Sequence, residues 1–192
     1  MMMIILAGVA LTGTMTNMDM LESVVSDAVA PVAEQVAAAG VEAVFLGVEG
    51  DHEGSWLLEQ IAVSSLNSQG ITVATSRDEE LYSLNLRPME LAVTYSQVRR
   101  SWMLGGRQLP RQANCQLAAT LLDPMGNVVL TVREGAVLNS TVSAGNIVTL
   151  ESSSERWVNG ELSDEESGNL LEPLVVTGVV TALVYLFYSS RN

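Results

Sequence analysis

The chain has 192 residues, 48% of them apolar, with 22 acidic side chains against nine basic ones, and a formal net charge of -13; every basic residue is an arginine. Such a charge repels nucleic acid phosphates and anionic lipid headgroups, so no nucleic acid partner is expected. A single cysteine excludes an internal disulfide and a cysteine-built structural zinc cluster.

Residues 1–16 are an apolar start, MMMIILAGVALTGTMT. They have the length of a secretory signal but carry no Lys or Arg ahead of the apolar part, so the expectation is a signal whose basic residues lie upstream of Met1. The soluble domain is placed at 17–150. Met18, Leu21, Val25, Ala28, Val32 and Val36 recur at spacings of three and four, which predicts an amphipathic helix over 19–39, bent at Pro31 and closed by Gly40. VEAVFLGV (41–48) is a buried strand. The turn EGDHEG leads into a second helix, SWLLEQIAVSSLNSQ, with Leu58, Ile61, Ala62 and Leu66 on one face and Gly70 as its stop. ITVAT follows as a second strand, and the short return implies a parallel crossover. Ser76 and Glu79 have capping-box spacing, which predicts a short helical segment over RDEELYSLNL.

The second half is β-rich. MELAVTYSQVRRSWML (89–104) and RQANCQLAATLLD (111–123) are long strand-like runs with a hairpin signal, GGRQLP, between them; DPMGN makes the next turn and VVLTVRE completes an antiparallel three-strand run. On the middle run Ala113, Cys115, Leu117, Ala119 and Leu121 alternate with Asn114, Gln116 and Thr120, one buried face and one polar face. The fold class read from these elements is α/β: a small mixed sheet with crossover helices passing into an antiparallel three-strand meander, plus one C-terminal transmembrane helix.

Over residues 18–135, the helix, strand, WLLEQIAVSSLNSQG, ITVATS, the wide hairpin with arginines flanking its tip and the DPMGNVV turn resemble the curli-secretion and flagellar outer-membrane accessory lipoproteins and the amino-terminal domain of TolB. The resemblance implies envelope assembly or scaffolding without catalysis. The chain departs from the lipoprotein members in having no cysteine after the apolar start and an apolar carboxy-terminal run in place of a lipid.

Residues 151–172 hold seven acidic side chains and read as a solvated acidic tether. Beyond it, PLVVTGVVTALVYLFYSS (173–190) is uncharged. Eighteen helical residues span ~27 Å, close to the ~30 Å of a bilayer's hydrocarbon. Pro173 suits a first helical turn, Gly178 permits close helix packing, Tyr185, Phe187 and Tyr188 crowd the distal end where aromatic rings favour headgroups, and Arg191 lies just beyond. The expectation is a tail anchor in a lipid bilayer, with the domain exported to the periplasm and the C-terminus cytoplasmic.

Candidate chemistry is sparse. Cys115 sits on the apolar face of a strand and reads as a packed thiol. His52, the sole histidine, lies in a turn between Asp51 and Glu53 with no second strong ligand identifiable, and no G-x-S-x-G elbow exists. The glycines of the 47–55 turn match neither the dinucleotide fingerprint nor the P-loop, and three acids there repel an anion. No cofactor and no metal are therefore expected. Arg99, Arg100, Arg107 and Arg111 cluster around the wide hairpin, where they suit an acidic partner segment or a second copy's carboxylates; the plainer reading is pairing with Glu90 on a solvated face. The expected function is a non-enzymatic envelope protein that scaffolds or binds other envelope components or itself. The alternative is a membrane-tethered ligand-binding module or enzyme using the Gly47–Ser55 turn.

Overall fold

A computed structural model describes residues 15–74, 76–78, 80–96, 99–100, 107–143 and 155–162 of the chain. Helix α1 (Asn17–Ala38) opens on a reciprocal cap: Thr16 Oγ1 accepts from the Asp19 N–H at 3.1 Å while Asp19 Oδ2 accepts from the Thr16 N–H at 2.8 Å. The helix runs through Pro31 uninterrupted, although proline removes one helical hydrogen bond. Burial is the compensation. Met20, Leu21, Val24, Val25, Val29, Val32 and Val36 are all fully or almost fully buried, and each such side chain stabilises by about 1.5–3 kcal/mol, so together they exceed the ~3 kcal/mol cost of an internal proline. Gly40 then takes φ +75°, where the chain leaves the helix, and strand β1 (Ala43–Val48) follows.

Helix α2 (Ser55–Ser68) buries Leu57, Leu58, Ala62 and Leu66 and returns to strand β2 (Thr72–Ala74), which pairs with β1 in parallel. The expected crossover is present. The next expectation is corrected: YSLNL is not helical. It begins strand β3 (Tyr82–Tyr95), which pairs with β1 in parallel through Tyr82–Leu86. The alternation in YSLNL puts Leu84 and Leu86 into the core, and this burial decides the conformation where a capping pattern alone does not. Pro88 is tolerated because β1 has already ended, and the ladder is irregular between Pro88 and Glu90.

Strand β4 (Arg99–Arg100) and strand β5 (Arg107–Leu122) follow, so RQLP is strand rather than turn. β5 lies antiparallel to β3, and strand β6 (Val128–Ser143) lies antiparallel to β5 along its whole length. The β5–β6 turn is the expected DPMGN: Asp123 Oδ1 accepts from the Asn127 N–H at 2.8 Å and Oδ2 from its Nδ2 at 2.9 Å, which holds the Asp123 carboxyl below its ordinary pKa. The principal sheet order is β2-β1-β3-β5-β6, parallel in its first half and antiparallel in its second. Both helices join one core cluster with Val44, Leu84, Leu86, Val93, Ala113, Leu117 and Leu121, which leaves the other face of the sheet without a covering layer among the described residues.

A last strand corrects the domain boundary. Arg156–Val158 forms a 3-10 turn and strand β7 (Glu161–Leu162) pairs in parallel with the end of β3. Residues 155–162 are thus part of the folded domain rather than of a solvated tether starting at 151. The carboxylates suggested solvation, but Val158 is fully buried and joins the main core. The 1–14 segment and the 173–190 run, with Pro173, Gly178, Tyr185, Phe187, Tyr188 and Arg191, lie outside the described residues. Among the described residues no helix is long and apolar enough to cross a membrane.

Candidate functional site

Of the four hairpin arginines, three are placed by strand pairing alone and one by its side-chain contacts. Arg99 pairs with Gln108 and Arg100 with Arg107 across the β4–β5 ladder, near the tip. Arg111 stands opposite Tyr95, and its side chain turns inward. It is only 2% exposed, and its Nη1 donates to Asn17 Oδ1 at 2.7 Å while Nη2 donates to the Met15 carbonyl. Arg111 is therefore corrected from a docking residue to an internal strut. Asn17, itself fully buried, passes the connection on: its Nδ2 donates to Tyr95 Oη and to the Val158 carbonyl, both at 3.1 Å. Burial lowers the pKa of the Arg111 guanidinium, partly offset by Tyr95 and Asp19, but an arginine remains charged at any physiological pH. The signal for this placement was in the sequence. Arg111 has the same parity as Ala113, Cys115 and Leu117, so strand alternation points it to the buried face.

Residues 155–160 close over that network as a strap. Trp157 is wedged between rings, its indole edge-on to His52 at 5.8 Å and to Trp56 at 6.4 Å, with Nε1 donating to Glu155 Oε2 at 2.8 Å. Two glycines make room. A Cβ on Gly54 would lie 2.9 Å from both the Trp157 ring and Leu91, and one on Gly160 would lie 2.0 Å from Cε2 of Tyr95. The glycine of the 47–55 turn at 54 thus serves close packing against Trp157 and Leu91. His52 has a local task there, its Nδ1 accepting from the Gly54 N–H at 2.9 Å. Sequence reasoning missed Asn17, Trp157 and Gly160; a Trp-Val pair inside an otherwise acidic stretch was the available clue.

Cys115 lies in the core at 3% exposure, where burial, with a smaller contribution from Glu90, pushes its thiol up to about 11. A thiol so protonated is a poor nucleophile. Among the described residues no group of three or more His, Cys, Asp or Glu is placed to hold a metal ion.

The uncovered sheet face is the remaining candidate. Register aligns its side chains in rows across β3, β5 and β6: Arg87–Ala118–Arg133, Glu90–Gln116–Gly135, Ala92–Asn114–Val137 and Thr94–Gln112–Asn139. Asn114 Nδ2 donates to Glu90 Oε1 at 3.2 Å. The charged members of these rows are two exposed arginines and one half-buried glutamate already hydrogen-bonded, so the face is slightly positive on a chain of net charge -13. Met89 and Val137 add exposed apolar surface, 52% and 57% accessible, at the rim of a shallow depression floored by Asn114, Gln116 and Gly135.

No family model matches the chain, and no curated protein matches it either. Solved structures similar to part of it include a minor lipoprotein from Acinetobacter baumannii (16% identity, TM-score 0.38, covering 62% of this chain and 84% of that one). A putative neuraminyllactose-binding hemagglutinin homolog from Helicobacter pylori is similar at 14% identity and TM-score 0.34, over 52% of this chain and 65% of that one. An uncharacterized lipoprotein B from Nitrosomonas europaea is similar at 14% identity and TM-score 0.32, over 58% and 69%.

Proposed function

We propose that the chain is a non-catalytic envelope protein, tail-anchored in a membrane through 173–190, whose α/β domain binds an acidic segment of another envelope component on its uncovered sheet face and the adjoining arginine hairpin. The observation that carries this reading is the charge of that face. An acidic molecule keeps acidic partners away everywhere except where arginines outnumber carboxylates, and Arg87 and Arg133, on either side of Ala118, mark one such region. His52, Arg111 and Cys115 have internal occupations: His52 caps a turn, Arg111 ties elements together, and Cys115 is packed. Polar amides and hydroxyls between the arginines supply donors and acceptors without a desolvation penalty as large as that of charges.

A photo-crosslinking residue at Gln116, in the middle of the face, tests the reading in native membranes, with one at the exposed Ser26 on α1 as control. A partner captured from Gln116 but not from Ser26, and lost on Arg87→Glu with Arg133→Glu, is the expected result. Unchanged capture after both charge reversals counts against it. Release of the intact full-length chain from vesicles by carbonate removes the anchoring half.

A further inference from the structure

The sheet has two very unequal edges. β2 contributes three residues at one side, whereas β6 contributes sixteen at the other, about 50 Å of backbone at ~3.3 Å per residue, with no strand beyond it among the described residues. Long edges in natural proteins are guarded by proline, lysine, bulges or inward charges. β6 has no proline and no lysine, its one register irregularity lies at its first residues, and its one charge on the helix-covered face, Glu134, is taken up by a hydrogen bond from Gln35. Three of the seven large apolar side chains exposed among the described residues are on it: Val128, Val129 and Val137.

We infer that β6 is a homodimer seam, pairing antiparallel with β6 of a second copy about a two-fold axis at Gly135. The sequence of the strand is what selects a second copy as occupant. A two-fold perpendicular to the sheet keeps both helix layers on one side and sets residue i opposite a partner residue of the same parity. Centred on Gly135, it puts Val132 beside Leu138, so these half-buried apolar side chains on the helix-covered face of one copy meet those of the other. Arg133 meets Val137 and Glu134 meets Ala136, so no like charges oppose. Moving the centre by one residue either way loses this match: at Glu134 the two carboxylates meet, and at Ala136 the carboxylate faces Leu138. The strand carries one Arg and one Glu, hence no net charge, so two copies of a strongly acidic molecule approach there with least local repulsion. The three-residue β2 is too short to receive β6, so pairing closes at two copies rather than growing into a filament.

Disulfide trapping in the full-length chain, held in native membranes and in a Cys115→Ala background, tests the register. Thr131→Cys and Asn139→Cys stand opposite each other under the proposed axis, so the co-expressed pair crosslinks severalfold more than either variant alone. Equal yields, or none, overturn the register. Proline at adjacent positions separates assembly from folding, because neighbouring strand residues send their N–H groups to opposite sides. Of Val137→Pro and Leu138→Pro, the one whose lost N–H faces away from β5 retains the wild-type melting temperature and sediments as a monomer. A wild-type chain that sediments as a monomer throughout, with slow amide exchange along β6, places another segment or another protein on the edge and overturns the dimer.

Discussion

The two flanks of the antiparallel half of the sheet are finished in opposite ways. At the end of β3, a buried Asn-Tyr-Arg network and an aromatic strap join residues more than seventy positions apart in sequence. At β6, the backbone runs for sixteen residues beside solvent, with valines exposed. The difference teaches where each element's stability comes from. The strapped end is held by specific, mutually dependent bonds, so removing one member leaves others buried without partners. The edge is held by its ladder to β5 and by α1, whose Gln35 donates to Glu134 at 3.2 Å, and its outward side chains contribute little to the monomer.

That contrast can be broken most directly at Arg111. Arg111→Met removes both bonds to Asn17 and Met15 and leaves Asn17 Oδ1 underpartnered in the interior, an expected loss of about 3 kcal/mol in denaturant unfolding. Val137→Thr on the open edge, measured the same way on the monomer, is expected within about 0.5 kcal/mol of wild type. Equal effects at the two sites would erase the distinction.

The strap is tested next by overpacking. Gly160→Ala drives a methyl group into Tyr95 and is expected to destabilise by about 2 kcal/mol, with a red-shifted tryptophan emission as Trp157 leaves its slot. A wild-type spectrum together with wild-type stability would mean that the strap does not seat as described.

A pH-dependent effect probes the core between the two regions. Because the folded Cys115 thiol is raised from 9.0 to about 11, its contribution is fully present below the unfolded value. It is lost as pH rises through that window, at up to about 1.4 kcal/mol per pH unit. Cys115→Ala is expected to flatten that part of the alkaline stability curve. An unaltered slope would place the thiol in water.

Much of this arrangement follows from local pattern. The spacing of apolar residues predicts α1 and α2, strand alternation from Ala113 to Leu121 predicts which face of β5 is buried, and DPMGN predicts its turn. Those features depend on neighbours in sequence, so periodicity and turn chemistry report them directly. The candidate face was not legible as such: the sequence offered Arg99, Arg100, Arg107 and Arg111 at the hairpin, whereas register sets Arg87 and Arg133 on either side of Ala118 and Arg111 faces inward.

What the sequence by itself determined is the charge of the chain, the α/β order, the antiparallel meander and the packed state of its one thiol. Tertiary structure alone decided that YSLNL is strand, that residues 155–162 are part of the domain, and that Arg111 faces inward to Asn17. These outcomes turn on partners far away in the chain. Leu84 and Leu86 take strand geometry because β1 and β5 flank them, and Val158 joins the main core with its carbonyl accepting from Asn17, 141 positions away. Local propensity has no access to such contacts, and they prevail because burying an apolar side chain outweighs the small preferences of a polar or capping motif.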